Sequence, residues 1–472
     1  MADRLFIAHA PTPADGWRTG TLAAAADRAK AAGYTALRLD FTWAAAQPGG
    51  PGPLTFSSLD LPVQLVRAKG LAVVVGVDHS VVPDWVDFGE YALKDPNGHP
   101  VCLPDGDQPL LTLNAKQVRD WVGDLFKGCA AHWKSAVTAY VDLSPHLAEA
   151  RAHRADGAML DHSARCAAAY RMWLRAKHAD FRTLNAAWDT TYGAWDEVPP
   201  GEGARKSSQA DFHLFRYSTI ASWVDFLRKA VDAGHHGAAY AFRSPGWRKP
   251  SDLGGIGFDL GRFMRGTDIY LGDDITDPWA LAMTRTAAEL WQKLFGADAT
   301  EPGWGAAWPG PESLKEVPKW GKTLYDKGGI LSVRQPVVGA PGKAMEAEVR
   351  KVVPLPAPQP KNNRRAVYVS AAEAQFWDGT DHDEARGVWW AVTEGGKKTN
   401  LDVVSDGMFI NSPGTLSRYS AGIEIVYAKT MAKDARAALA QAGKNGVRLV
   451  IHRPEIAGTL DEHGKPQTPL AG

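Results

Sequence analysis

The chain has 472 residues, enough for one large barrel with a smaller domain or for about three ordinary domains. Hydrophobic residues make up 45% and charged residues 22%, which excludes a wholly disordered chain. The formal net charge is zero, which argues against nucleic-acid binding, since that function draws on a basic excess.

Eight short runs rich in β-branched residues precede position 340, and stretches with helical spacing separate most of them. Strands that alternate with helices predict a parallel sheet, and eight such units predict a (β/α)8 barrel. The runs are apolar almost throughout, as expected for strands covered on both faces. The predicted strands are residues 4–9, 36–43, 71–78, 137–143, 237–244, 267–274, 293–301 and 328–336.

A second α/β pattern follows a proline-rich stretch that reads VVPLPAPQPKN. Its strands and helices indicate a small doubly wound module without the G-x-G-x-x-G loop of nucleotide sites. The predicted organisation is a barrel over 1–345 with a helical insertion at about 150–236, a linker at 346–362, a flavodoxin-like α/β domain at 363–455 and a tail at 456–472.

The carboxyl ends of the barrel strands predict where an active site lies, because such sites form at that face of a (β/α)8 barrel. These ends are rich in carboxylates, arginines and tryptophans, groups that bind and stack on sugars. The predicted substrate-binding residues are Arg38, Trp43, Asp78, His79, Trp85, Asp142, Arg151, Arg243, Tyr270, Asp273, Trp304 and Arg334.

Two glutamates follow strands that stand on opposite sides of the predicted mouth. Glu149 comes after the fourth strand and Glu301 after the seventh. Glycoside hydrolysis needs two such carboxylates, one to protonate the leaving oxygen and one to attack the sugar or activate a water. We therefore predict Glu149 and Glu301 as the catalytic pair, with inversion or retention of configuration left open.

Two segments carry a resemblance to a known family. GYTALRLDFTWAAAQPGGPGPLTFSSLD with LAVVVGVDHSVVPDW resembles the second and third strands of glycoside hydrolase family 42 β-galactosidases, and LNAAWDTTYGAWDEV resembles that family's insertion. The second domain resembles the trimerisation domain of the same family. The resemblance implies a clan A glycosidase of β-linked substrates that assembles as a homo-oligomer, with a trimer as the expected state.

The fourth strand departs from that family. Family 42 enzymes carry Asn-Glu there, whereas this chain reads VDLSPHLAEAR, which resembles the family 14 (β-amylase) motif. This second resemblance gives Glu149 the acid role, and the family 42 resemblance gives Glu301 the role of nucleophile. A catalytically inactive carbohydrate-binding or virion assembly protein on the same barrel is the alternative hypothesis.

Cysteine spacing and the length of apolar runs limit the cofactors, partners and locations that we expect. Three widely spaced cysteines form neither a disulfide framework nor a paired-cysteine zinc site. No further metal ligands accompany Asp273 and Asp274, and neither a nucleotide loop nor a phosphate loop is visible, so we expect no metal and no cofactor. No apolar run approaches the roughly 18 residues of a membrane span, and no secretory leader is visible. The expected partner is a carbohydrate, and the expected location is the cytoplasm by default, with export or incorporation in a virion by another route left open.

Overall fold

The computed structural model describes twelve stretches of the chain, and all structural statements below concern these residues. They are 6–10, 19–31, 34–102, 108–143, 161–199, 206–244, 259–273, 278–299, 330–334, 364–372, 380–393 and 401–471.

Eight parallel strands close into a barrel in chain order, with β8 paired to β1. Runs such as AVVVGVD favour strands because β-branched side chains pack well on a pleated surface covered on both faces. Each of the eight predicted strands is present, so the prediction of a (β/α)8 barrel is confirmed. The strands are β1 (Phe6–His9), β2 (Ala36–Thr42), β3 (Ala72–Asp78), β4 (Ala139–Asp142), β5 (Ala239–Ser244), β6 (Ile269–Asp273), β7 (Leu294–Ala299) and β8 (Ile330–Arg334).

Helices surround the barrel and cover the outer faces of its strands. None of the helices in the described stretches is both long and apolar enough to cross a membrane. The helices of this part are α1 (Thr19–Ala31), α2 (Trp43–Ala46), α3 (Ser57–Ala68), α4 (Phe88–Tyr91), α5 (Lys116–Trp133), α6 (Ala164–His178), α7 (Phe181–Trp188), α8 (Lys206–Gly234), α9 (Leu260–Gly266) and α10 (Pro278–Trp291).

The helical insertion between β4 and β5 has a hydrophobic core of its own. Helices α6 and α7 begin at side-chain caps, in which Ser163 and Asp180 accept backbone N–H groups. Both helices pack on the first half of α8. The buried residues of this core are Cys166, Tyr170, Leu174, Leu184, Trp188, Val198, Phe212 and Phe215.

A second, four-stranded parallel sheet follows in the order β10-β9-β11-β12. Taken from its first strand, this is the 2-1-3-4 order of flavodoxin-like sheets. The elements are β9 (Arg365–Val369), α11 (Thr380–Thr393), β10 (Leu401–Ser405), α12 (Asp406–Phe409), β11 (Gly422–Ile425), α13 (Lys433–Lys444) and β12 (Leu449–Ile451). The predicted linker at 346–362 lies outside the described residues, and the domain boundaries remain a prediction.

The barrel and the second sheet are joined by buried ion pairs. Asp402 on β10 accepts from Arg285 on α10 at 2.7 Å and from Arg364 at 3.0 Å. Arg364 also pairs with Glu289, again on α10. Helix α10 packs against the edge strand β10, where the Val403 amide donates to the Thr286 hydroxyl at 3.3 Å.

Candidate active site

Eight buried apolar residues from the barrel strands pack together on the axis, and they show which strand positions face inward. Side chains alternate along a strand, so positions two and four residues beyond this core also face the axis, nearer the mouth. The axial core consists of Ile7, Ala36, Val74, Ala139, Val141, Ala241, Ile269 and Leu271. The polar residues that continue it toward the carboxyl ends of the strands are His9, Arg38, Asp40, Asp78 and Arg243.

An arginine and an aspartate from β2 form a two-pronged ion pair at the mouth. Arg38 Nε lies 2.8 Å from Asp40 Oδ1, and Arg38 Nη2 lies 3.1 Å from Asp40 Oδ2. The Arg38 side chain is 2% exposed and that of Asp40 is 20% exposed. Such bidentate bonds fix a carboxylate in one orientation, so Arg38 holds the partly exposed Asp40 carboxylate in place at the mouth.

Gly76 on β3 makes room for this carboxylate. It is the register partner of Asp40, and a methyl group at Gly76 would overlap Asp40 and the side chain of Leu143. Two residues further along the same strand, Asp78 accepts the Ser80 amide at 3.0 Å and the Ser80 hydroxyl at 2.5 Å through one oxygen. The mouth next to β2 and β3 is thus lined by two oriented carboxylates.

Four predicted substrate-binding residues lie behind the strands instead of at the mouth. Trp43, His79, Asp142 and Tyr270 are almost completely buried, with at most 2% of each residue exposed. Asp142 and Tyr270 fall on the outward positions of the alternation, next to the covering helices. Direct sugar contact stays a prediction for these four residues, whose side chains are buried in this structure.

Short polar contacts show what this buried layer does. Asp142 Oδ1 lies 3.3 Å from His79 Nε2, and Asp142 Oδ2 accepts from the Tyr240 hydroxyl at 3.2 Å. Burial, with the adjacent Asp142 charge, raises the pKa of Tyr240 well above its ordinary value. The Tyr270 hydroxyl lies 2.5 Å from Ser244 Oγ. These contacts tie β3, β4, β5 and β6 together from outside.

A tryptophan cluster supports the loops that follow β2 and β3. Trp43 donates to Gln47 Oε1 and Trp85 to the Gln47 carbonyl, both at 2.9 Å. Trp85 stands edge-on to Trp43 and Trp121, with ring centroids 5.8 Å and 5.1 Å apart. Trp85 remains half-buried. It stays the predicted stacking residue of this cluster.

The remaining predicted residues fall into three sets. Asp273 and Arg334 are placed through their backbones alone, with Asp273 in register with Asp298 and Arg334 in register with His9. Arg243 is half-buried on the axial side of β5. The residues that lie outside the described part of the chain are Glu149, Arg151, Glu301 and Trp304.

His9 was missed by the sequence analysis. It is 4% exposed, ends β1, and stands in register with Arg38 on one side and Arg334 on the other. The signal was present in the sequence, because His9 lies two residues beyond the axial Ile7. Counting by twos along FIAH would have placed its imidazole at the mouth.

A separate group, between the insertion and the C-terminal segment, brings together residues that could in principle bind a metal: His178, Asp211 and His463. However, the Asp211 carboxylate also accepts from Lys177 Nζ at 2.6 Å and Trp188 Nε1 at 2.9 Å. A cation would have to displace the lysine, so the donor set fits a buried ion-pair cluster better than a metal centre.

The first half of the chain matches a known protein family. The model of the family described as beta-galactosidase, glycoside hydrolase family 42, matches residues 13–240. The chain resembles glycoside hydrolase family 42. The match runs from the segment after β1 to β5, and it confirms the resemblance predicted from the sequence.

A curated β-galactosidase resembles the chain in sequence, and two solved structures share its fold. Beta-galactosidase Bga of Halorubrum lacusprofundi is 26% identical over 246 residues, which are 48% of this chain and 32% of the relative. The chain thus spans about a third of that relative. The structure of Gan42B, a family 42 β-galactosidase from G. stearothermophilus, matches 99% of this chain and 73% of its own with 16% identity and a TM-score of 0.76. The β-amylase catalytic domain from Paenibacillus polymyxa matches 75% of this chain and all of its own with 14% identity and a TM-score of 0.58.

Proposed function

We propose that this protein is a glycoside hydrolase that cleaves β-galactosidic bonds with two carboxylates, Glu149 and Glu301. The observation that carries the proposal is the family 42 match over a barrel whose mouth holds oriented polar residues. Asp40 and Asp78 offer carboxylate oxygens to sugar hydroxyls, and Trp85 offers a half-buried indole edge.

Topology supports the choice of the pair. Strand β4 ends at Asp142 and β7 at Ala299, and two strands separate them in the closed barrel. The carboxyl ends of these two strands therefore lie on different sides of the mouth. Glu301 follows β7 by two residues, and Glu149 follows β4 by seven.

The two carboxyl groups need different environments. The acid must hold its proton near neutral pH, so its pKa has to be raised by an apolar or acidic surrounding. The nucleophile must stay ionised, and a guanidinium nearby favours that. We propose Arg334 for this role, because it ends β8, the strand paired with β7, which Glu301 follows.

Hydrolysis of 4-nitrophenyl β-D-galactoside and of a panel of other aryl glycosides tests the proposal. Glu149→Gln and Glu301→Gln are each expected to lower kcat by about 10²–10⁴. The exposed Glu455→Gln is the matched control and should keep wild-type activity. Turnover that survives Glu301→Gln would refute the pair, and wild-type protein that binds galactosides without cleaving any of the panel would favour the inactive binding protein instead.

We also propose a homo-oligomer, with a trimer as the state to test. Strand β12 forms the outer edge of the second sheet, and its residues Leu449, Val450 and Ile451 are half-buried. An apolar sheet edge is a surface that another chain can cover. Light scattering behind a sizing column gives the mass directly, and a mass of one chain would refute the proposal.

A further inference from the structure

A groove of about 510 Å3 lies on the outside of the barrel, between α8, α9 and the second sheet. Ser218, Ser222 and Lys229 contribute one face of α8, and Arg262 and Arg265 contribute α9. Helix α9 leads directly into the amino end of β6. The groove therefore lies toward the opposite end of the strands from the mouth and is a separate feature.

The charges that line the groove do not balance. Lys229 is neutralised by Asp225 at 2.6 Å. Arg262 Nη1 donates to Ser218 Oγ at 3.0 Å, but its Nε is buried without a hydrogen-bond acceptor. That Nε lies 3.4 Å from the Asp259 carboxylate. One positive charge of the groove is thus only loosely paired.

Arg265 adds a second positive charge. Its guanidinium lies 5.6 Å from the ring centroid of Trp291, which also lines the groove. Within the described stretches of the chain, no carboxylate forms an ion pair with Arg265. Arg262 and Arg265 are three residues apart on one helix, so their side chains are neighbours.

We propose that this groove binds a small organic oxyanion, of the size and class of a sugar phosphate. Two neighbouring guanidinium groups provide planar donors that match phosphate and carboxylate oxygens. The volume falls in the range of small-molecule sites, and the Trp291 indole supplies an apolar surface for the organic part of the ligand. The proposal is independent of the chemistry at the mouth.

The ligand would contact both parts of the molecule. Gly407 and Asn411, from the second sheet's helix α12 and the residues after it, complete the groove. Gly407 packs so closely on α9 that a methyl group there would overlap Asp259. A ligand that touches both sides adds contacts across this junction, so binding is expected to raise the unfolding temperature.

Calorimetric titration of the full chain with glucose 6-phosphate, inorganic phosphate and glucose tests the proposal. We expect saturable binding of the ester, weaker binding of inorganic phosphate and none of glucose. Arg265→Gln should weaken ester binding at least tenfold and abolish the rise in unfolding temperature. Arg175→Gln is the matched control, because Arg175 stacks on Trp195 at 5.5 Å on the insertion in the same manner.

Trp291→Leu separates the two parts of the ligand. This variant should bind the ester more weakly and bind inorganic phosphate with unchanged affinity. No saturable binding of the ester by wild-type protein, equal losses in Arg265→Gln and Arg175→Gln, or equal affinities for ester and inorganic phosphate would each overturn the proposal. Circular dichroism of each variant confirms that the comparison is made on folded protein.

Discussion

His463 Nε2 lies 2.9 Å from Asp211 Oδ1, although 252 residues separate the two in the chain. The other oxygen of Asp211 accepts from His178 at 2.6 Å and Trp188 at 2.9 Å. Burial alone would raise the pKa of Asp211, but the two histidine bonds and the Lys177 charge outweigh it and hold that pKa well below its ordinary value. This cluster joins the helical insertion to the C-terminal segment.

Replacing this carboxylate should destabilise the protein strongly. Asp211→Asn removes the negative charge from a site with three basic neighbours and leaves buried donors unpaired. We expect the free energy of unfolding to fall by about 3–5 kcal/mol. Urea unfolding at pH 7 measures it. Asp27→Asn, which breaks the exposed pair with Lys69 at 2.7 Å, is the control and should cost about 0–1 kcal/mol.

The same cluster predicts a loss of stability in acid. The folded pKa of Asp211 lies below its unfolded value of 3.8, so the folded state binds this proton less readily. Its contribution to stability is therefore fully present above about pH 4 and is lost as the pH falls toward the folded pKa. Between pH 6 and pH 3, the free energy of unfolding of the wild type should fall toward that of Asp211→Asn in urea unfolding experiments. A constant difference between the two proteins would contradict this account.

Asp406 should show the opposite dependence on pH. Its pKa is raised to about 7, because burial and the nearby Asp259 charge raise it by more than the hydrogen bond from the Tyr368 hydroxyl, at 2.6 Å, lowers it. Because the folded pKa lies above the unfolded value of 3.8, stability is greatest in acid and falls as the pH rises toward 7.

Asp406→Asn should flatten this slope. Between pH 4 and pH 8, wild type is expected to lose on the order of 2–4 kcal/mol more than the variant. The free energy of unfolding, measured in urea at four pH values, gives the slope. The exposed Asp434→Asn on α13 should keep the wild-type slope. Parallel profiles for wild type and Asp406→Asn would show that another group carries the dependence.

The sequence predicts the barrel well because its strands are unambiguous. Apolar runs with helical stretches between them leave few other folds, and each of the eight strands lies within its predicted range. The site residues are harder to predict, because a strand end specifies an edge of the sheet but not a face. Asp142 and Tyr270 occupy outward-facing positions of their strands. Asp40 occupies an inward-facing position, although the predicted set left it out.

Contacts between distant parts of the chain could not be predicted at all. His463 lies in a polar tail, and Asp211 lies near the start of α8 with no charge pattern that points to the tail. Their pairing depends on how the second sheet docks on α10, which is set by buried ion pairs such as Arg285 with Asp402. Such docking follows from the complementarity of two assembled surfaces, and local periodicity carries no information about it.

Gly76→Ala tests whether the orientation of Asp40 matters for activity. The new methyl group would overlap the Asp40 carboxylate, which cannot move aside without breaking both bonds from Arg38. If the protein is the proposed galactosidase, we expect kcat/KM to fall at least tenfold, with a loss of about 1–3 kcal/mol of stability from overpacking. Gly387→Ala on α11 is the control, since a methyl group there meets no atom within 4 Å, and it should keep full activity and gain up to about 1 kcal/mol. The new methyl group keeps the Asp40 carboxylate out of its present position. Full activity in Gly76→Ala would therefore mean that the mouth works without Asp40 in this position.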